Sequence, residues 1–487
     1  MEIIYVVFIV SLPLYFFLFI LRDLCQKNLP PGPYPSPIIG NLLQVGNKPH
    51  VQFAKLAKTY GDLFTLKLGF QRVVVASSPA AAIEVLKKHD KILTGRYVFQ
   101  SIRVKEHIEN SLVWSECNEN WRLLRKICRT ELFSHKMIES QAHLREAKVL
   151  DMVRFLQKKE GEVVKIVEVV FGTLFNIFGN LLFSKDVYDF EDPTGGKAEM
   201  KEHFWKLLEI GNATNPADYF PIMGKFDLFG QRREVASVIR QIYDVWGVML
   251  KERRRMKGNE NDFVSVLLSA GLDDLKINAL LMELFGAGTE TSASTIEWAV
   301  AELTKNPRVT FNIQSELVNV VGEKTVKESD IPHLPYLQAF VKETLRLHPP
   351  TPLLLPRRAL ETCKVMNYTI PKDCQIMVNA WAIGRDPKTW DDPLTFKPER
   401  FMNSSVDYRG SDFELIPFGG GRRICPGLPL ASRFLNLILA TLIQNFDWSL
   451  PQGMTANELS MDEKFGLALQ KDPPLLIVPK SRTTSIN

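Results

Sequence analysis

The sequence predicts a mainly helical chain with a small β-rich part, preceded by one membrane-spanning helix. Three observations carry that expectation. An uncharged apolar run, Ile3–Leu21, opens the chain. Runs that read as strands are short, as at Leu63–Leu68 and Arg72–Ala76. Long stretches, above all Asn278–Leu303 and the segment from Leu428 onward, repeat apolar residues at helical spacing.

The opening run of about 19 residues, at 1.5 Å rise, spans roughly 28 Å, close to a bilayer core. Pro13 interrupts it, but membrane helices tolerate proline. A cleaved signal peptide is the competing reading; the run is long for one, and neither a basic leader nor a small-residue cleavage site flanks it. Arg22 and Lys27 follow the run and only Glu2 precedes it, so the charge bias places the body of the protein in the cytosol. The expected layout is an anchor at 1–21, a basic and proline-rich connector at 22–37, and a single catalytic domain at 38–487. Within the connector, Leu29–Pro37 is too rich in proline for a helix and reads as a stiff, extended segment.

A chain of 487 residues would divide into about three domains by length alone. The absence of repeats and long low-complexity linkers favours one large domain instead. Lys and Arg number 60 against 55 Asp and Glu, and a net charge of +5 is too small to argue for nucleic acid. Cys25, Cys117, Cys128, Cys363, Cys374 and Cys425 lack zinc-site spacing and do not read as a disulfide framework. Asn-x-Ser/Thr matches at Asn212, Asn367 and Asn403 would stay unmodified in the cytosol. Asp189–Gly195 reads as a loop and Lys251–Lys257 as a solvated basic helix end.

Trp121 and Arg125 share a face of a helix beginning near Glu119; a core tryptophan beside a surface arginine is the plain alternative. Within Asn278–Leu303, Gly286 and Gly288 each cost about 1 kcal/mol relative to alanine, which suggests the close approach of a flat group. Glu290 and Thr291 follow, an acid and a hydroxyl side by side. Glu343 and Arg346 lie i, i+3 on a helix ended by Pro349-Pro350. Pro398-Glu-Arg-Phe401 comes downstream. In Pro417–Leu430, Cys425 sits in a glycine-rich loop just before a helix, where backbone N–H groups and the helix dipole favour a thiolate. Taken alone, Cys425 would read as a buried structural cysteine.

Phe418, Gly421, Arg423, Cys425 and Gly427 fit F-x-x-G-x-R-x-C-x-G, and this loop resembles the haem-thiolate loop of the cytochrome P450 family. The proline hinge, W-x-x-x-R, the A-G-x-[DE]-T-[TS] pattern at Ala287–Ser292, E-x-x-R and P-E-R-F occur in the family's order across nearly the whole chain. The resemblance implies the P450 fold, haem b as cofactor and Cys425 as axial ligand to its iron. It further implies that Trp121, Arg125, Arg357 and Arg423 contact the haem propionates. Glu343, Arg346 and Arg400 would form a buried structural cluster bracing the cysteine loop, and Leu353–Leu355 would line the substrate cavity. Thr291 and Glu290 would be catalytic: oxygen activation consumes protons, which a hydroxyl can hold in place and a carboxylate connected to solvent can supply.

Arg96–Arg103, Asn215–Phe220, Phe226–Gly230 and Pro352–Thr362 narrow the resemblance to the benzylisoquinoline-alkaloid branch of plant microsomal P450s. This branch implies hydroxylation of a substrate benzyl ring with O2, and electrons from NADPH through a separate cytochrome P450 reductase. An endoplasmic-reticulum location, single-pass and with the catalytic domain cytosolic, goes with it. Lys126, Arg129, Lys136 and Arg422 are candidates for the reductase-facing surface, a solvated helix face being equally open. Glu109 and Glu283 are candidates to hold the substrate's cationic amine. Three other readings stay open: oxidative phenol coupling in the same branch, terpenoid hydroxylation, and a haem-binding sensor without turnover.

Overall fold

The computed structural model describes residues 28–192, 198–224, 226–255 and 262–482, so the anchor expected at 1–21 lies outside the described residues. Helices dominate, and a five-stranded sheet forms the largest β element among the described residues. Its order is Leu63–Leu68, Gln71–Ala76, Gln375–Val378, Arg357–Arg358, Gly95–Arg96. The first two strands pair antiparallel as a hairpin, with Leu63 opposite Ala76. Gln71–Ala76 then runs parallel to Gln375–Val378, and the remaining pairs are antiparallel. Both expected strands are present. The sheet also joins residues far apart in sequence, setting Arg96 opposite Arg357.

The central helix, Asp274–Lys305, has 32 residues and spans about 48 Å. Asp273 caps its start by accepting from the Lys276 amide at 2.9 Å, and Pro307 follows its C-cap Asn306. Most of it is buried, yet Ala287 in mid-helix is exposed and Thr291 half-buried. That gap in an otherwise enclosed helix marks where the interior opens.

Against this helix packs Ile166–Phe183, which is apolar enough to cross a membrane but is enclosed in the core. A Cβ at Gly288 would lie 2.2 Å from Cζ of Phe178. The flat group approaching this glycine is therefore a neighbouring side chain. Phe175, Phe204, Trp246 and Phe285 extend the same aromatic core. Burying each large ring contributes about 1.5–3 kcal/mol.

A C-terminal hairpin, Asp462–Lys464 with Gln470–Asp472, docks on another face of the central helix. Side chains at i, i+4 and i+8 make the junction. Gln470 Nε2 donates to Glu290 at 3.3 Å, and Leu469 O accepts from Ser294 Oγ at 2.6 Å and Trp298 Nε1 at 3.1 Å.

Candidate active site

The cysteine loop is shaped by close backbone contacts. Gly421 has φ +66°, and a Cβ there would lie 1.8 Å from Leu86 O, so only glycine fits. The Cys425 amide donates to Phe418 O at 3.0 Å, folding the loop back on itself. Phe418 packs on Tyr408, with ring centroids 5.4 Å apart. Gly427 is the N-cap of Leu428–Asn445, which starts the helix directly behind the cysteine.

The amides of Gly427 and Leu428 and the Arg125 guanidinium all favour the Cys425 thiolate, as expected. Burial opposes them and wins, so the thiol is pushed up overall. The loop directs the sulfur without ionising it alone; a cation bound at Sγ would supply the rest.

Three buried arginines converge beside this loop. Arg357 donates to Gly420 O at 3.2 Å and Leu93 O at 3.4 Å. Arg423 donates to Ser115 O at 2.6 Å and Thr94 O at 3.2 Å, leaving Nη1 buried and unpartnered. Arg96 donates to Val113 O at 2.9 Å and Leu355 O at 3.2 Å. No carboxylate forms an ion pair with any of the three among the described residues. Burial, and secondarily Arg423, lowers Arg357 to about 10. Burial, then Arg423 and Arg357, drives Arg96 well below the usual arginine range. Desolvated guanidiniums without a counter-charge are costly, and an anion with planar carboxylates would relieve them. A haem placed over Cys425 carries two such groups, so these residues fit that cofactor.

Arg96 is the site residue that sequence reasoning missed as a ligand. Its motif carries no signal of its own; only strand pairing with Arg357 brings it here.

Trp121 and Arg125 lie beside the same loop. The indole Nε1 donates to Leu112 O at 3.0 Å, and the guanidiniums of Arg423 and Arg125 lie 4.9 and 5.3 Å from the ring centroid. Arg125 Nη2 donates to Ile424 O at 2.6 Å, next to the cysteine, and Arg125 and Arg423 share the Trp121 ring. Trp121 thus organises the guanidiniums through cation–π contact.

On the central helix, Thr291 Oγ1 donates to Ala287 O at 2.6 Å. Glu290 is 8% exposed, and its bond to Gln470 turns it toward the hairpin instead of bulk solvent. Burial pushes its carboxyl up to about 7, against the Gln470 bond. Its proton affinity suits an exchange near neutrality.

Glu343, Arg346 and Arg400 are together, the first two buried and Arg400 half-buried. Arg346 holds Glu343 through two bonds, at 2.7 and 2.8 Å, and Arg400 Nε joins at 3.0 Å. Their remaining donors reach the carbonyls of Gly384, Pro393, Asp391, Asp392 and Thr395. The cluster braces 384–400 directly, and the cysteine loop only through what packs on that segment.

Neither expected amine-holding acid stands free. Glu109 is exposed beside Lys105, and Glu283 accepts from Ser111 Oγ and the amides of Leu112 and Val113. Lys126, Arg129 and Lys136 are exposed, as is Arg422, which pairs with Asp90 at 3.2 Å.

The described family "Cytochrome P450" matches residues 30–478. A "Probable (S)-N-methylcoclaurine 3'-hydroxylase isozyme 2" of Coptis japonica is 80% identical over 97% of both chains. "(S)-N-methylcoclaurine 3'-hydroxylase isozyme 1" of Papaver somniferum is 68% identical over 96% of this chain and 98% of its own. "Corytuberine synthase" of Coptis japonica is 49% identical over 94% of this chain and 95% of its own.

Proposed function

The chain belongs to the cytochrome P450 family, and from that premise we propose that it hydroxylates (S)-N-methylcoclaurine at the 3' position of its benzyl ring in alkaloid biosynthesis. The observation that carries the substrate is the 80% identity over nearly the whole chain to a relative named for that reaction. It is a P450 monooxygenase, and its cofactor is haem.

When bound, haem supplies the activation of O2 and the transfer of one oxygen atom to the ring carbon. Cys425 would hold the iron, aimed by the Gly427 and Leu428 amides. Arg96, Arg357 and Arg423 would neutralise the propionates and be neutralised by them. Thr291 would hold a water or the reacting oxygen by its hydroxyl, with Glu290 storing and releasing a proton one residue away. Leu353–Leu355 and the hairpin tip would hold the ring at the mouth opened by Ala287.

Electrons would come from NADPH through a cytochrome P450 reductase docking on Lys126, Arg129 and Lys136, beside the helix that carries Arg125 to the cysteine loop. Residues 1–21 would anchor the protein to the endoplasmic reticulum membrane, 22–37 would link it, and 38–487 would form the cytosolic domain.

The test is incubation of the membrane-bound protein with reductase, NADPH, O2 and (S)-N-methylcoclaurine. A product carrying one added oxygen on the benzyl ring is expected. A coupled dimer or an intramolecularly coupled ring system, with no oxygen gained, would overturn the reading, as would oxidation of a terpenoid alone.

A further inference from the structure

The substrate proposed above carries a tertiary amine, which is protonated at neutral pH and needs a counter-charge in an apolar cavity. Most buried carboxylates of this chain are already committed. Glu343 serves Arg346 and Arg400, Glu328 serves Arg145, and Glu463 serves His50 and Arg385. Among the described residues, three buried acids accept only a single hydrogen bond: Asp218, Glu290 and Glu297. Glu290 belongs to the proton path, and Glu297 lies under the chain's last strands, bonded by the Leu475 amide and within the field of Lys471.

Asp218 is placed differently. It ends the short turn Pro216–Asp218, where three segments meet. Gln100 N–H donates to its Oδ1 at 2.6 Å, and Tyr97 Oη donates to its carbonyl at 2.7 Å. Next to it, Tyr219 O accepts from the Phe70 amide at 2.8 Å. Tyr97 immediately follows Arg96 of the arginine group, and Arg96 is bonded to Leu355 O of the expected cavity wall. The residue is 8% exposed and forms no ion pair within the described chain. Its second oxygen accepts nothing from the described residues. Aromatic residues lie close by in the same segments: Tyr97, bonded to the Asp218 carbonyl, stands edge-on to Phe99 with centroids 5.9 Å apart, and Phe70, bonded to Tyr219 O, stands edge-on to Phe220 at 5.6 Å.

We infer that Asp218 is the anionic anchor for the substrate's protonated amine, an inference that rests on the alkaloid reading. The ammonium N–H donates to the free carboxylate oxygen, and the neighbouring rings face the N-methyl and ring carbons. Anchoring the amine end fixes how far the benzyl ring reaches, so this contact also selects the carbon presented for oxidation.

The carboxyl's own chemistry agrees. Burial pushes Asp218 up to about 6, against the Gln100 bond and the Arg103 charge. Burial, and secondarily Asp218, pushes Tyr97 and Tyr219 up, so both stay neutral. Between pH 5 and 7.5, Asp218 is thus the group beside this site that changes charge, and a bound cation would hold it ionised.

The experiment is an equilibrium titration of the haem-loaded protein with (S)-N-methylcoclaurine and with its neutral N-acyl analogue, read by the ligand-induced shift of the Soret band. Asp218→Asn keeps an acceptor for Gln100 and should weaken the amine about tenfold or more, leaving the neutral analogue within about twofold. Asp218→Glu should recover part of the loss. In the wild type, the amine should bind more tightly as pH rises from 5 to 7.5, while the neutral analogue stays level; this arm needs no variant to fold. Unchanged amine affinity in Asp218→Asn, or equal loss of both ligands, overturns the inference and leaves the proposed hydroxylation standing. A wild type that neither binds nor oxidises the alkaloid overturns both.

Discussion

Gln470 donates to Glu290 at 3.3 Å across 180 residues of sequence, fastening the acid of the central helix to the hairpin Asp462–Asp472. This bond turns the carboxylate away from solvent and leaves burial to set its proton affinity.

Replacing Glu290 with Gln tests that arrangement. Turnover should fall about 10- to 100-fold, with loss of an ionisation near pH 7 from the rate profile. Stability should respond with the opposite sense. The folded protein holds this proton more tightly than an ordinary carboxyl near 4.5, so its stabilising contribution is complete below that pH and lost as pH rises through about 7. Thermal melting should therefore show Glu290→Gln above wild type at pH 8 and level with it at pH 4.

Cys425→Ala should abolish the reduced carbon-monoxide difference band from which the family takes its name. Survival of the band would refute the assignment of the axial ligand.

The buried arginines predict opposite effects on haem-free and haem-bound protein. Arg96→Met removes an uncompensated buried charge and should stabilise the haem-free protein by about 1–3 kcal/mol. The same change should weaken haem retention, measured as faster haem transfer to a competing apoprotein. Loss of stability in both forms would show that Arg96 serves packing alone.

Glu343→Gln leaves the buried Arg346 and the half-buried Arg400 without their shared carboxylate, and should cost about 3–5 kcal/mol in denaturant unfolding. Because this cluster grips 384–400, that segment should lose amide-exchange protection before the cysteine loop does.

Gly288→Ala drives a methyl into the Phe178 ring and should cost about 1–3 kcal/mol. Phe178→Leu in the same chain should restore part of it. A neutral single variant would mean the helix pair shifts freely.

Most of the site was legible in sequence because its motifs are local. Phe418–Gly427 and Glu343–Arg346 need only loop and helix geometry to present their groups: the Cys425 loop runs straight into a helix, and Glu343 meets Arg346 one turn on. Where the expectation missed, the cause was a contact distant in sequence. Arg96 enters by pairing with Arg357 across the sheet. Glu290 faces Gln470, 180 residues on, and Glu283 is absorbed by the amides of Leu112 and Val113. Gly288 carried a true signal of close approach, but spacing alone did not say that the approaching ring was Phe178.

The junction of Ser294 and Trp298 with the carbonyl of Leu469 bears on how the protein is made. Synthesis runs from the amino end, so the central helix leaves the ribosome long before its covering hairpin exists. Ser294 and Trp298 must wait for their acceptor through the addition of more than a hundred residues, a period in which the nascent chain is open to aggregation and to holding by chaperones. A stop codon just before Leu469 would remove the hairpin's second strand together with Leu476–Ser481, and would leave Ser294 and Trp298 without the carbonyl they share.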